Sequence, residues 1–173
     1  FRMPAGEVYK LVFEGSMTDT QVWIDGQQVG PVHQGGFTEF SFDVTPYIKP
    51  NKKQTLEVLV SKESANASIN SAERRADWWL FGGIYRPVYM EILPKEHISY
   101  VGIDARANGE IYAEVEATSN DKVSLTIDGK PVSYNEAKGC WIYPNPKTWD
   151  PEHPYLYTAT FTLGEKGHSI SHK

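Results

Sequence analysis

The sequence predicts an all-β protein made of two packed sandwich units. Three observations carry this. Apolar residues recur with period two along most of the chain, so alternate side chains share one face. Helical periodicity is nearly absent. Turn chemistry punctuates the apolar runs at short spacing, including Asp-Gly pairs at Asp25-Gly26 and Asp128-Gly129, where a tight hairpin needs residues that tolerate positive φ.

Taken in order, Val8–Phe13 is a β-rich run. Gln21–Ile24 and Gln27–Val29 flank Asp25-Gly26 as a hairpin. Phe37, Phe40 and Phe42 belong to a third run that ends at Asp43-Val44-Thr45-Pro46. Leu56, Val58 and Val60 alternate with polar residues. The pattern then lapses from Lys62 to Asp77, a polar stretch rich in Ser, Ala and Asn that reads as a long loop, a place where function often sits. Ile84–Ile92 reads as one strand, with Pro87 marking an edge or a bulge. Pro94-Lys95-Glu96 is a short linker. A second strand set follows: Ile111–Val115, the Ser124–Val132 hairpin about Asp128-Gly129, and a long strand over Tyr155–Leu163.

Composition narrows the function classes. A chain of 173 residues that is 40% hydrophobic and 13% aromatic can bury a core in each half. The net charge of -5 disfavours a nucleic-acid backbone or an anionic membrane as partner. Cys140 is the single cysteine, so no internal disulfide forms, and His153, His168 and His172 lack the spacing of zinc ligands. No Ser/His/Asp order suggests nucleophilic catalysis. The chain opens on Phe1-Arg2-Met3-Pro4 with no charged-then-apolar leader.

Four ordered motifs resemble glycoside hydrolase family 2, the β-galactosidase, β-glucuronidase and β-mannosidase group. Val22-Trp23-Ile24-Asp25-Gly26-Gln27-Gln28-Val29-Gly30 is similar to the family's early hairpin, with Asp25 where Asn is usual. His33-Gln34-Gly35-Gly36-Phe37-Thr38-Glu39-Phe40 and its continuation through Thr45 resemble the family's next stretch. Asp77-Trp78-Trp79-Leu80-Phe81-Gly82-Gly83-Ile84-Tyr85-Arg86-Pro87-Val88 is the most specific match, and Trp149–Tyr157 is similar to a fourth. The resemblance implies a sugar-binding, galactose-binding-like jelly-roll β-sandwich over 1–94, short of its first strands, and an immunoglobulin-like β-sandwich over 95–173. It implies that the chemistry belongs to a (β/α)8 barrel that this chain lacks, with two glutamates performing retaining hydrolysis of a terminal β-linked sugar. The barrel and other copies of the chain are the implied partners besides carbohydrate. By analogy, an exported polysaccharide-degrading bacterial enzyme is expected. A stand-alone carbohydrate-binding module is the alternative reading.

Within this frame the candidate substrate-binding residues are Asp77, Trp78 and His33. The resemblance implies that Asp77 reaches a sugar and a nearby cation in the full enzyme, while no cofactor is expected in this segment; loop bracing is the other role open to Asp77. Trp78 offers a stacking face for a pyranose or a packing contact, and Trp79 and Trp23 read as packing residues. His33 either lines a sugar pocket or braces its loop through the backbone. Glu63 and Glu73 read as solvated loop charge. Gly82-Gly83 reads as a bulge or turn where side chains would clash. Asn66-Ala67-Ser68 fits a glycosylation sequon.

Overall fold

Strands form where the period-two pattern lets one face of the chain leave water. The computed structural model describes residues 1–75, 80–165 and 167–173, and the chain forms two units, Phe1–Leu93 and Pro94–Lys173. The first unit holds β1 (Val8–Phe13), β2 (Ser16–Met17), β3 (Asp19–Ile24), β4 (Gln27–Gln28), β5 (Phe40–Asp43), β6 (Leu56–Ser61), the helix α1 (Ala67–Arg74), β7 (Gly83–Ile84) and β8 (Val88–Leu93). A 3-10 turn, Thr45–Tyr47, follows β5.

Two three-stranded antiparallel sheets, ordered β5-β1-β8 and β4-β3-β6, make the first sandwich. Tyr9, Leu11 and Phe13 of β1 share a buried core with Val22 and Ile24 of β3, closed by Val29, Val44 and Ile48. Removing each of these larger side chains from water contributes roughly 1.5–3 kcal/mol, which offsets the entropy of ordering the strands. β2 and β7 form a separate short pair, Ser16 opposite Ile84 and Met17 opposite Gly83.

The second unit holds β9 (Ile98–Ala105), β10 (Glu110–Ala117), β11 (Val123–Ile127), β12 (Lys130–Asn135), β13 (Cys140–Ile142), β14 (Ala159–Leu163) and β15 (Ser169–His172). They hydrogen-bond in the order β15-β14-β11-β12-β13-β10-β9. The sheet folds over a core in which Leu125, Ile127, Phe161 and Leu163 meet Ile98, Val101, Ile111 and Trp141. Trp141 sets its ring edge-on to Phe161 at 5.7 Å, an arrangement that suits the aromatic quadrupole. The N–H of Ile98 donates to Nδ1 of His168 at 3.2 Å, tying the start of β9 to the segment before β15. The all-β, two-sandwich expectation holds.

Several local expectations change. The stretch read as a loop from Lys62 carries α1, because Asn66 caps it: its Oδ1 accepts from the N–H groups of Ser68 at 3.0 Å and Ile69 at 3.4 Å. Two otherwise unpaired donors of the first turn are thereby satisfied. The third run starts as a strand only at Phe40, leaving Phe37 outside. Ile84–Ile92 is two strands rather than one. The ladder breaks across Tyr85–Pro87, and the Pro87 carbonyl instead accepts from Glu14 N–H at 3.0 Å. β14 begins at Ala159, four residues after Tyr155, and Trp149 and Leu156 stay exposed.

Both Asp-Gly hairpins take the left-handed backbone that the pair favours, with φ of 49° at Asp25 and 48° at Asp128. Each aspartate also clasps a third strand. Asp25 N–H donates to the Thr55 carbonyl and Asp25 Oδ1 accepts from Thr55 N–H, both at 2.9 Å. Asp128 does the same with Thr158. The Thr55 N–H, aided by the Gln54 amide and by Lys49, holds the Asp25 carboxyl down from an ordinary 3.8 to about 2. A depressed folded-state pKa gives stability that is complete above the unfolded value and is lost as pH falls toward the folded one. The urea midpoint should therefore fall between about pH 4 and pH 2 more steeply in the wild type than in Asp25→Asn. Parallel pH profiles for the two proteins would refute the clasp's electrostatic role.

Candidate functional site

The motif-bearing segments of the first unit converge on Gly36. Its N–H donates to both carboxylate oxygens of Glu73, at 2.9 and 3.0 Å, and its carbonyl accepts from the Tyr85 hydroxyl. Both backbone groups of this buried glycine are thus satisfied by side chains from two other segments. At Gly36 space is tight: a Cβ there would lie 2.7 Å from Met17 Cε and 3.3 Å from Glu73 Oε2, so the Met17 side chain would have to shift. Gly35, at φ 118°, is required by conformation.

Glu73 lies in the last turn of α1, where the helix's free carbonyls disfavour a carboxylate. The two charge-assisted bonds to Gly36 N–H supply the compensation. The next residue braces the same turn, since Arg74 Nη1 donates to the Lys62 carbonyl at 2.8 Å. From the opposite side, Arg86 Nη1 donates to the carbonyls of Glu14 at 3.3 Å and Phe37 at 3.2 Å. Its guanidinium lies 5.3 Å above the Tyr85 ring, and that ring stacks on Phe81 at 5.1 Å.

His33 stands beside this junction. Its backbone bridges Thr20 in both directions, its Nε2–H donates to the Gly35 carbonyl at 3.0 Å, and its ring stacks on Phe40 at 3.6 Å. Burial pushes its pKa down against the Gly35 carbonyl, Glu73 and Asp19, which favour the charged ring. The imidazole is therefore neutral near pH 7, presents one edge to its own loop, and gives one face to the core aromatics.

Of the three candidate substrate-binding residues, only His33 falls among the described residues. Asp77 and Trp78, with any cation at Asp77, lie outside the described residues, in the segment that follows Arg75. Among the described residues no group of three or more His, Cys, Asp or Glu is placed to hold a metal ion. Glu63 keeps its solvated reading, at 75% side-chain exposure beside Arg74. Glu73 does not: it is a structural acceptor, because a buried glycine N–H has no strand partner and takes a carboxylate instead. Gly82-Gly83 is also corrected in part. A Cβ at Gly83 would meet nothing within 4 Å, so its φ of 77°, not a clash, calls for glycine. Tyr85 carried no functional reading in the sequence; the adjacency of two buried glycines, whose polar backbone must find partners, was the available signal.

Removing the Glu73 carboxylate leaves the buried Gly36 N–H unpaired, which costs about 1–3 kcal/mol. Glu73→Ala should lower the unfolding free energy of the first unit by that amount, and Glu73→Gln, which keeps one acceptor, by less. Equal urea midpoints for wild type and Glu73→Ala would remove the clamp from the account.

Comparisons with known proteins match both units of the chain. Residues 4–94 match the sugar binding domain model of glycosyl hydrolases family 2, and residues 96–173 match a second model of the same family. A Formosa agariphila protein named for β-glucuronidase activity is 33% identical over 183 residues, covering 95% of this chain and 22% of its own length. A β-galactosidase of Thermoanaerobacter pseudethanolicus is 31% identical over 179 residues, covering 91% of this chain and 24% of its own length. The solved structure of a Faecalibacterium prausnitzii β-glucuronidase superposes with a TM-score of 0.76 at 26% identity, covering 99% of this chain and 35% of that one. The chain thus spans about a quarter of the curated relatives it matches. With both halves matched in order by models of one family, the chain belongs to glycosyl hydrolase family 2.

Proposed function

We propose that this chain is the non-catalytic, sugar-binding and scaffold region of a retaining exo-β-glycosidase, β-galactosidase-like, acting in carbohydrate metabolism. The observation that carries the reading is the ordered match of two family 2 models to residues 4–94 and 96–173. Hydrolysis of a terminal O-glycosidic bond then falls to two barrel glutamates outside this chain, spaced about 5 Å apart as retention requires. The barrel is the proposed internal partner, and contacts between copies of the whole protein are proposed for these sandwiches.

In this reading Asp77 and Trp78 contribute to sugar binding from the segment after α1, with a cation beside Asp77 in the whole enzyme. A carboxylate accepts from two sugar hydroxyls at once, and an indole offers an apolar face to the ring. His33 acts in the same site from the neighbouring loop. Its neutral imidazole suits hydrogen bonding rather than ion pairing with the substrate.

The test is made on the full-length protein that contains this chain. Asp77→Asn should lower kcat/KM for nitrophenyl β-glycosides by about 10- to 100-fold, about 1.4–2.7 kcal/mol of transition-state binding. The thermal midpoint should stay unchanged. Wild-type kcat/KM in that variant would remove Asp77 from the site.

A further inference from the structure

The sheet β4-β3-β6 buries one face in the core and leaves the other open. On β3, Thr20, Val22 and Ile24 are buried, so Asp19, Gln21 and Trp23 point outward. On β6, Glu57, Leu59 and Ser61 point the same way. The register sets them side by side: Trp23 opposite Glu57, Gln21 opposite Leu59, Asp19 opposite Ser61. Two concavities indent this face. One, of about 480 Å³, lies among Trp23, Glu57 and Leu59; the other, of about 430 Å³, lies among Asp19, Gln21, Gln34 and Leu59. Leu59 is the ridge between them.

Three features of this face ask for a ligand of particular chemistry. Trp23 is half-buried, and among the described residues no other ring stacks on it. Leu59 is 59% exposed and lines the same concavity as Trp23, which joins the two into one apolar strip. Around this apolar pair stand planar hydrogen-bonding groups, the amides of Gln21 and Gln28 and the carboxylate of Glu57. Asp19 is committed to the fold instead, its Oδ2 accepting from the Gln34 amide at 3.1 Å and from Ala65 N–H at 2.8 Å. A pyranose has the complementary form, with an apolar C–H face for the indole and Leu59 and a rim of hydroxyls for the amides and the Glu57 carboxylate.

Charge selects among glycans. Glu57 borders the first concavity, and Asp19 and Glu63 border the second. A nucleic-acid backbone or a uronate chain would meet like charge here. A protein partner would need a larger continuous apolar area than Trp23 and Leu59 provide. We propose that this outer face of β3 and β6 binds a neutral β-linked oligosaccharide across Trp23 and Leu59. The site rests on residues other than Asp77 and Trp78, so it stands or falls separately from the function proposed above.

The test titrates the chain with neutral β-1,4-linked gluco- and galacto-tetrasaccharides and follows the indole N–H signals by NMR. The Trp23 signal, assigned by its loss in Trp23→Ala, should move and saturate with Kd on the order of 1 mM for at least one of them. Leu59→Asp, at an exposed site that the fold does not need, should weaken binding about tenfold or more while keeping the dispersed spectrum of the folded chain. A tetra-uronate should leave the signal in place. The proposal is overturned if neither neutral sugar moves the signal at about 20 mM, if Leu59→Asp binds like wild type, or if the uronate binds as well. It is equally overturned if the signal changes with protein concentration alone and Leu59→Asp abolishes that change, because the face would then belong to a second copy of the chain.

Discussion

Each sandwich depends on an aspartate that does two jobs at once. Asp25 and Asp128 both take a left-handed backbone to reverse the chain, and both return a carboxylate to the N–H of a threonine that opens or precedes a third strand. The reversal alone would fix only two neighbouring strands. The clasp to Thr55 sets β6 against the β3-β4 hairpin, and the clasp to Thr158 sets β14 against β11 and β12. Register in a half-buried strand is all-or-nothing, since a slip of one residue turns every core side chain to solvent. An aspartate that pins the residue just before the third strand therefore protects the burial of Val22 and Ile24 in one unit and of Leu125, Ile127 and Phe161 in the other.

On that scaffold the first unit carries a junction with little regular structure, which side chains satisfy in place of strands. Gly36 is the clearest instance, with Glu73 on its N–H and Tyr85 on its carbonyl. A loop tied in this way gains definition without a ladder, and α1, β7 and the 33–37 loop become one hydrogen-bonded set. Glycosidases of this family need a sugar held in one orientation, and binding energy is useful only where the contributing groups are held in place beforehand. In the function proposed above, the Gly36 junction does this through Glu73, in the last turn of α1.

Much of the fold was legible in the sequence, and the reasons are physical. Period-two alternation marked β3 and β6, whose alternate side chains turn toward the core and away from it, while β1, buried on both faces near its end, showed only as a β-rich run. The Asp-Gly pairs marked their turns because few other residues accept that backbone. Three kinds of element escaped. α1 is short, and its stability comes from the Asn66 cap rather than from an apolar stripe, so periodicity could not reveal it. β2, β13 and β15 are too short to show alternation, and β9, though eight residues long, buries Ile98 and Val101 out of step with a period of two. The Tyr155–Tyr157 alternation mimicked strand continuation but marks side chains that pack ring to ring, with Tyr155 and Tyr157 edge-on at 4.8 Å. Asp77 and Trp78 were read through family resemblance alone, and they lie outside the described residues. Glu73 was misread because nothing local in a sequence says that a distant glycine N–H lacks a partner.

The proposed function puts shaping and binding in this chain and the chemistry of the family elsewhere. The direct measurement is release of nitrophenol from nitrophenyl β-galactoside and β-glucuronide by the purified chain alone. The account predicts no release above the buffer rate, at any pH where the chain is folded. Turnover that survives a second, independent purification and saturates with substrate would contradict it, because two catalytic carboxylates would then have to lie within these two sandwiches.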